Sequence, residues 1–249
     1  MDVKWPKMIV IRPGTSYSAG ERLYWPEYHL SLRVPPTYAC DAGQIYAFFR
    51  SSEGGLEALL NVHKPSDLLV SGWLDEPLMA GRERLEPVTP TETRLGVKSR
   101  QFASASAAGY KMTVADPFRY QASARLTGPA DRAGDLSLLL RQIVGSIRFV
   151  QQDALNEEQH RQAILPWLNI DASDSDEVLL YIDRHFYLLR TDIMDTVRRL
   201  ARQAEIDRDP IAKRIRPWWD VLQRARQFAD RGTWDDSIAA LAPRREWRL

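Results

Sequence analysis

The stretch Tyr120-Gln121-Ala122-Ser123-Ala124-Arg125-Leu126-Thr127-Gly128-Pro129, followed by Leu136 to Val144 and then Ser146-Ile147-Arg148-Phe149, decides how the first half of this chain folds. From Gln121 to Ala124 the residues alternate small polar with alanine, and the strand expected over Arg119 to Leu126 puts the two kinds on opposite faces of a sheet. Asp131 or Asp135 then starts a helix that carries Leu136, Leu139, Leu140, Ile143 and Val144 along one stripe. Gly145 ends it, and Ser146 to Val150 alternates like a last strand. Strand, helix, strand in this order, among many short punctuated segments, reads as α+β with a largely antiparallel sheet.

Working outward, Gly and Pro punctuate residues 1 to about 135 densely, as strands and turns require. Strands are expected at Lys7 to Ile11, His29 to Val34, Gln44 to Arg50, Leu56 to His63, Gly96 to Ala107 and Tyr110 to Ala115. Pro35-Pro36 stops the second of these. Ser66-Asp67 caps a short helix expected through about Met79. After Gly145 the breakers thin to Pro166, Pro210, Pro217, Gly232 and Pro243, so residues 151–249 read as a helical domain behind a 1–150 sheet domain. Its first helix is expected at Asp153 to Leu165. Ser173-Asp174-Ser175-Asp176-Glu177 opens a helix of about 30 residues, or about 45 Å, with Val178, Ile182, His185 or Phe186, Leu189, Ile193, Val197, Leu200 and Ala204 on one face. Asp209-Pro210 restarts a helix with Ile211, Ile215, Trp218 or Trp219, Leu222, Ala225 and Phe228 on its stripe, and Thr233 to Leu241 adds a short one. The half is read as an antiparallel helical hairpin plus two short helices.

The chain has 249 residues, 44% hydrophobic and 27% charged, enough for one large or two small domains. Lys and Arg number 34 against 33 Asp and Glu, a net charge of +1, so no global field draws it to nucleic acid or an anionic membrane. Residues 151–249 hold 16 basic against 18 acidic side chains, so the arginines clustered there are interleaved with carboxylates as surface ion pairs. No apolar run reaches the roughly 18 residues of a membrane span, and Met8 to Ile11 is too short for a signal-peptide core. A cytoplasmic protein is expected.

Standard nucleotide, zinc-protease, calcium and nucleophile-elbow motifs are absent. Cys40 is the single cysteine, and it reads as a small buried apolar residue rather than a nucleophile beside His29 or His63. Glu157 and His160 lie three apart on a helix but lack a third ligand, so a solvated face explains them and no metal or other cofactor is expected. His185 interrupts the long stripe as a partly buried histidine satisfied by a neighbour. Two patterns point to a partner instead. Ser104, Ser106, Gln121 and Ser123 line a sheet face with little bulk, on which a helical segment of another protein can lie, while the alanine side takes the chain's own helix. Adjacent Trp218 and Trp219 point about 100° apart on a helix, so one can be exposed beside Arg214 as an interface anchor.

The order of elements resembles the PsbP-like and DcrB-like α+β fold, on the Tyr120 to Pro129 strand, the Leu136 to Val144 helix and the Ser146-Ile147-Arg148-Phe149 ending. The resemblance covers at most residues 28–150, and the helical half departs from it. It implies binding more than catalysis, since that superfamily holds photosystem assembly subunits, bacterial lipoproteins, a Ran-GTPase-binding protein and cytosolic Eag chaperones that hold apolar helices of type VI secretion effectors. The expected function is therefore non-enzymatic protein binding, as a chaperone, adaptor or immunity-type inhibitor, with a secreted effector or its apolar segment among the clients the resemblance implies. Two alternatives stand beside it: an enzyme with a small-molecule site, and a nucleic-acid-binding module through Arg198, Arg199, Arg202, Arg208, Lys213, Arg214, Arg216, Arg244, Arg245 and Arg248. A homodimer is the other way to cover a long apolar helical stripe.

Overall fold

The computed structural model describes residues 7–51, 54–67, 72–94, 96–151, 153–170 and 175–241. The architecture is α+β, antiparallel sheet first and helices after. These residues gather into two compact units, 7–147 and 148 onward.

The first unit runs through β1 (Ile9–Val10), β2 (Thr15–Tyr17), β3 (Arg22–Trp25), β4 (Leu30–Arg33), β5 (Tyr38–Ala42), β6 (Tyr46–Ser51) and β7 (Glu57–His63). It continues with β8 (Leu78–Ala80), β9 (Glu83–Pro87), β10 (Glu92–Arg94), β11 (Val97–Ala103), β12 (Ala107–Ala115), β13 (Gln121–Pro129) and α1 (Ala133–Ser146). The large sheet has the order β2-β5-β6-β7-β13-β12-β11-β9-β8, with β10 also on β11. A smaller sheet pairs β1 parallel to β3, and β3 antiparallel to β4. The register aligns Met112, Ala124, Leu60 and Ala47 across one face of the large sheet, and Lys111, Arg125, Leu59 and Phe48 across the other. On the first face Leu136, Leu139, Leu140, Ile143 and Val144 of α1 are buried, against alanines small enough to admit the helix closely. The expectation that the chain's own helix takes the alanine side of β13 holds.

Three local expectations give way. The helix through Met79 is absent: residues 65–67 form one 3-10 turn, residues 68–71 lie outside the described residues, and Leu78–Ala80 is a strand. Gly96 to Ala107 is not one strand. Ser104 Oγ accepts the Ala107 N–H at 3.0 Å, and the Ser104 N–H donates to the Ala107 carbonyl at 2.9 Å. A serine that binds its own backbone in this way favours a turn over a ladder. The expected closing strand shrinks to Arg148–Phe149, because α1 continues through Ser146.

The second unit comprises α2 (Glu157–Ile164), α3 (Ser175–Arg184), α4 (Thr191–Ile206), α5 (Ala212–Arg231) and α6 (Trp234–Leu241). Helix α2 starts at a capping box, in which the Asn156 side chain accepts the Gln159 N–H and the Gln159 side chain accepts the Asn156 N–H, both at 2.9 Å. The expected helix of about 30 residues is two helices, broken by a 3-10 turn at Phe186–Leu189. Phe186, Tyr187, Leu188 and Leu189 are all buried, and four consecutive residues on a straight helix point around its whole circumference, so the axis has to turn to bury them together. A five-residue connection joins α4 and α5, which pack on each other. Gly232 ends α5 at φ 73°, the left-handed conformation that glycine adopts without strain. Ser173 and Asp174, and the tail with Arg244, Arg245, Trp247 and Arg248, lie outside the described residues. Among the described residues no helix is long and apolar enough to cross a membrane.

Candidate functional site: the open face of the large sheet

One end of the face of the large sheet opposite α1 is covered. There the β8–β9 hairpin folds back, burying Leu78, Leu85, Phe102 and Ala107 in a cluster of their own. Gly109 permits this approach, because a Cβ at that position would lie 2.5 Å from Leu78 Cδ2 and 2.7 Å from the Leu126 carbonyl oxygen. Lys111 fastens the segment before the hairpin. Its ammonium donates to the carbonyls of Trp73 (2.8 Å) and Glu76 (2.9 Å) and lies 4.7 Å from the Trp73 ring centre. Burial pulls the Lys111 pKa below its ordinary value. An Arg100–Asp75 ion pair closes the same corner.

Beyond the hairpin the face stays open, as a cavity of about 310 Å³ lined by Phe48, Glu57, Leu59, Met79, Gly81, Arg125 and Thr127. Phe48 and Leu59 form its floor and are half-buried, while Met79 is 50% exposed. Arg125 rises beside Leu59 in the register, and Glu57 lies opposite Thr127. Among the described residues neither Arg125 nor Glu57 makes an ion pair.

The sequence-expected residues disperse. Gln121 and Ser123 lie on this face, four and two residues before Arg125, but Ser123 is 1% exposed and its hydroxyl is 2.8 Å from His63 Nε2. Burial lowers the His63 pKa, and the Asp67 charge opposes it. A serine so enclosed offers a substrate no nucleophile. Ser104 and Ser106 sit in the β11–β12 turn, where Ser106 Oγ donates to Glu83. The register places Ser123 opposite Thr113, five residues along β12 from the turn-flanking Ala108, so roughly 17 Å separates the two serine groups. Cys40 is fully buried, its thiol pushed up to about 12, mainly by burial and then by the Asp41 charge.

In the helical unit Trp218 is a core residue, 4.3 Å from the Trp167 ring, while Trp219 is half-buried and Arg214 exposed. His160 faces inward instead of toward solvent: Nδ1 is 3.0 Å from Thr196 Oγ1 and Nε2 is 3.3 Å from Asp192 Oδ2. Among the described residues no group of three His, Cys, Asp or Glu side chains converges as metal ligands would. Sequence reading missed Phe48, Glu57, Leu59 and Met79, which belong to strands far from β13 in the chain. Arg125 stood in the quoted stretch, without a signal that it would be left unpaired.

No family model matches the chain, and no curated protein does. Among solved structures, a mutant form of protein Mog1 aligns with a TM-score of 0.37 and 10% identity over 53% of this chain and 96% of that one. A protein from Bacteroides thetaiotaomicron VPI-5482 aligns with a TM-score of 0.32 and 7% identity over 88% of this chain and 79% of that one.

Proposed function

We propose that this is a non-enzymatic protein-binding protein, a cytoplasmic chaperone or adaptor that receives an apolar helical segment of another protein on the open face of its large sheet. The observation that carries the reading is the half-buried floor of Phe48 and Leu59 beside Met79, with the Arg50 guanidinium over the Phe48 ring and, among the described residues, no ion pair to Arg125 or Glu57 at its margins. A helix laid there buries an apolar stripe, and a carboxylate on it meets Arg125 while a basic residue meets Glu57. Apolar burial supplies the affinity and the two charges set register. The resemblance of the Tyr120 to Phe149 region to PsbP-like and DcrB-like proteins favours a client of the secretion-effector kind.

The test is capture from the native host lysate with the full chain, followed by mass spectrometry and light scattering. The reading expects one protein recovered near one-to-one, and recovery abolished by the double variant Met79→Asp, Arg125→Glu with its circular dichroism and melting temperature unchanged. Recovery that survives the double variant, or bait recovered alone as a monomer, overturns the reading.

A further inference from the structure

A second surface lies wholly within the helical unit. The end of α2, the turn after it, the last two turns of α4 and the start of α5 enclose a groove of about 390 Å³. Ile164, Leu165 and Leu168 form one wall, Leu200 and Ala204 the floor, and Ile211 and Ile215 the other wall. The groove follows from how the chain turns between α4 and α5. The Asp209 carboxylate accepts the Ile211 N–H at 2.9 Å, and the Ala212 N–H donates to the Asp209 carbonyl at 3.0 Å, which fixes the turn into α5, and Leu200 beside it is half-buried. Leu165 is 56% exposed, and Ile206, beside the groove, is 75% exposed.

The rim is asymmetric in charge. Asp207 and Asp209 stand together at the α4–α5 turn. Gln203 donates to Asp207 at 2.8 Å, and among the described residues neither carboxylate has an ion-pair partner. The single basic residue of the lining, Arg161, already has Glu157 at 3.9 Å. An apolar trough whose lining holds two carboxylates at one mouth, with Arg208 between them in the chain but outside the lining, complements an aliphatic stripe followed by cations. It fits a second copy of this chain poorly, since a two-fold contact brings the same carboxylates toward each other across the axis.

We propose that this groove docks a short amphipathic helix of a partner protein, one whose aliphatic anchors at i, i+3 or i+4, and i+7 are followed by Lys or Arg facing Asp207 and Asp209. The site is independent of the sheet face and stands whether or not that face binds a client.

The experiment uses the full chain and two fluorescent designed peptides of about 16 residues, four helical turns. Both carry the same leucine stripe; one has two lysines after the last leucine and the other two glutamates. By anisotropy at low salt the lysine peptide is expected to bind about tenfold more tightly, as two exposed charge contacts allow. The difference should vanish in the double variant Asp207→Asn, Asp209→Asn, which keeps both acceptors. Leu165→Asp, at a position more than half exposed, should remove binding of both peptides without unfolding the protein. Equal affinities in the unmodified protein, no saturable binding of the lysine peptide, or a preference that persists in the double Asn variant would each overturn the proposal. So would a dimer in light scattering that Leu165→Asp dissociates, because the groove would then belong to a second copy.

Discussion

His185 and Asp116 are buried titratable residues whose pH effects run in opposite directions. His185 stacks on Tyr181 with ring centres 4.1 Å apart and on Phe149 at 5.7 Å, and Nδ1 lies 3.1 Å from the Tyr181 carbonyl. That carbonyl can only accept, so Nδ1 carries the proton. Burial, reinforced by the Arg184 charge, pulls its pKa down to about 3. Between pH 6.5 and 3 the unfolded chain therefore takes up a proton that the folded one refuses, and stability falls as the pH is lowered. In urea titrations His185→Gln should flatten this acid slope, at some cost in stability at pH 7 from lost stacking; an unchanged slope would mean the imidazole is not held neutral. Asp116 behaves inversely. One of its carboxylate oxygens accepts the Tyr120 N–H at 2.8 Å, the other is buried without a hydrogen-bond partner among the described residues, and burial raises its pKa to about 8. The folded state holds a proton that the unfolded state releases above about pH 4, so this residue's contribution declines as pH rises toward 8. Asp116→Asn keeps the acceptor and removes the ionisation, so its stability relative to the parent should grow steadily from pH 5 to 8. Neither environment could be read from the sequence, where His185 was expected to be only partly buried and Asp116 gave no signal.

Among the elements, strands read well wherever alternation persisted and poorly wherever it was short. β4, β7, β12 and β13 follow the expected segments because alternation along each sends one set of side chains into the core, Leu60 and Val62 of β7 among them, and the other set, Leu59 among them, to the opposite face. β2, β3, β5, β8, β9 and β10 are three to five residues long, too brief for a period to register. The long helix failed because periodicity continues in phase across a turn that keeps both flanking stripes buried. The hairpin over Gly109 permits a direct test of how the open face is bounded. Gly109→Ala forces a Cβ against Leu78 and the Leu126 carbonyl oxygen, and overpacking of this kind costs about 1–3 kcal/mol. Chemical denaturation should show that loss, and the Trp73 environment, tied to the same face through Lys111, should change in fluorescence. A neutral effect would show that β8–β9 yields freely and that the cavity beside it has no fixed wall.

At the scale of the molecule, each unit carries its own core, and that of the helical unit contains charge. Arg148 and Asp183 are 3% and 4% exposed and 2.6 Å apart; Asp235 also takes Arg148, and the Trp234 indole donates to Asp183 at 2.8 Å. Removing one partner of such a pair leaves the other buried without its counter-charge. Asp183→Ala is therefore expected to cost about 3–5 kcal/mol, seen as a drop in the denaturation midpoint of the helical unit; a loss under 1 kcal/mol would mean that Asp235 alone satisfies Arg148. The sequence by itself determined the class of the fold, the sheet-then-helix order, α1 with its buried stripe, and the alanine face that receives it, because each of these is written in the spacing of neighbouring residues. Only the tertiary structure decided which face stays open, that Ser123 is closed off against His63, that Trp218 is core, and that among the described residues Arg125, Asp207 and Asp209 have no ion pairs. Those outcomes depend on which strands and helices meet across long separations in the chain, and local spacing does not encode such meetings.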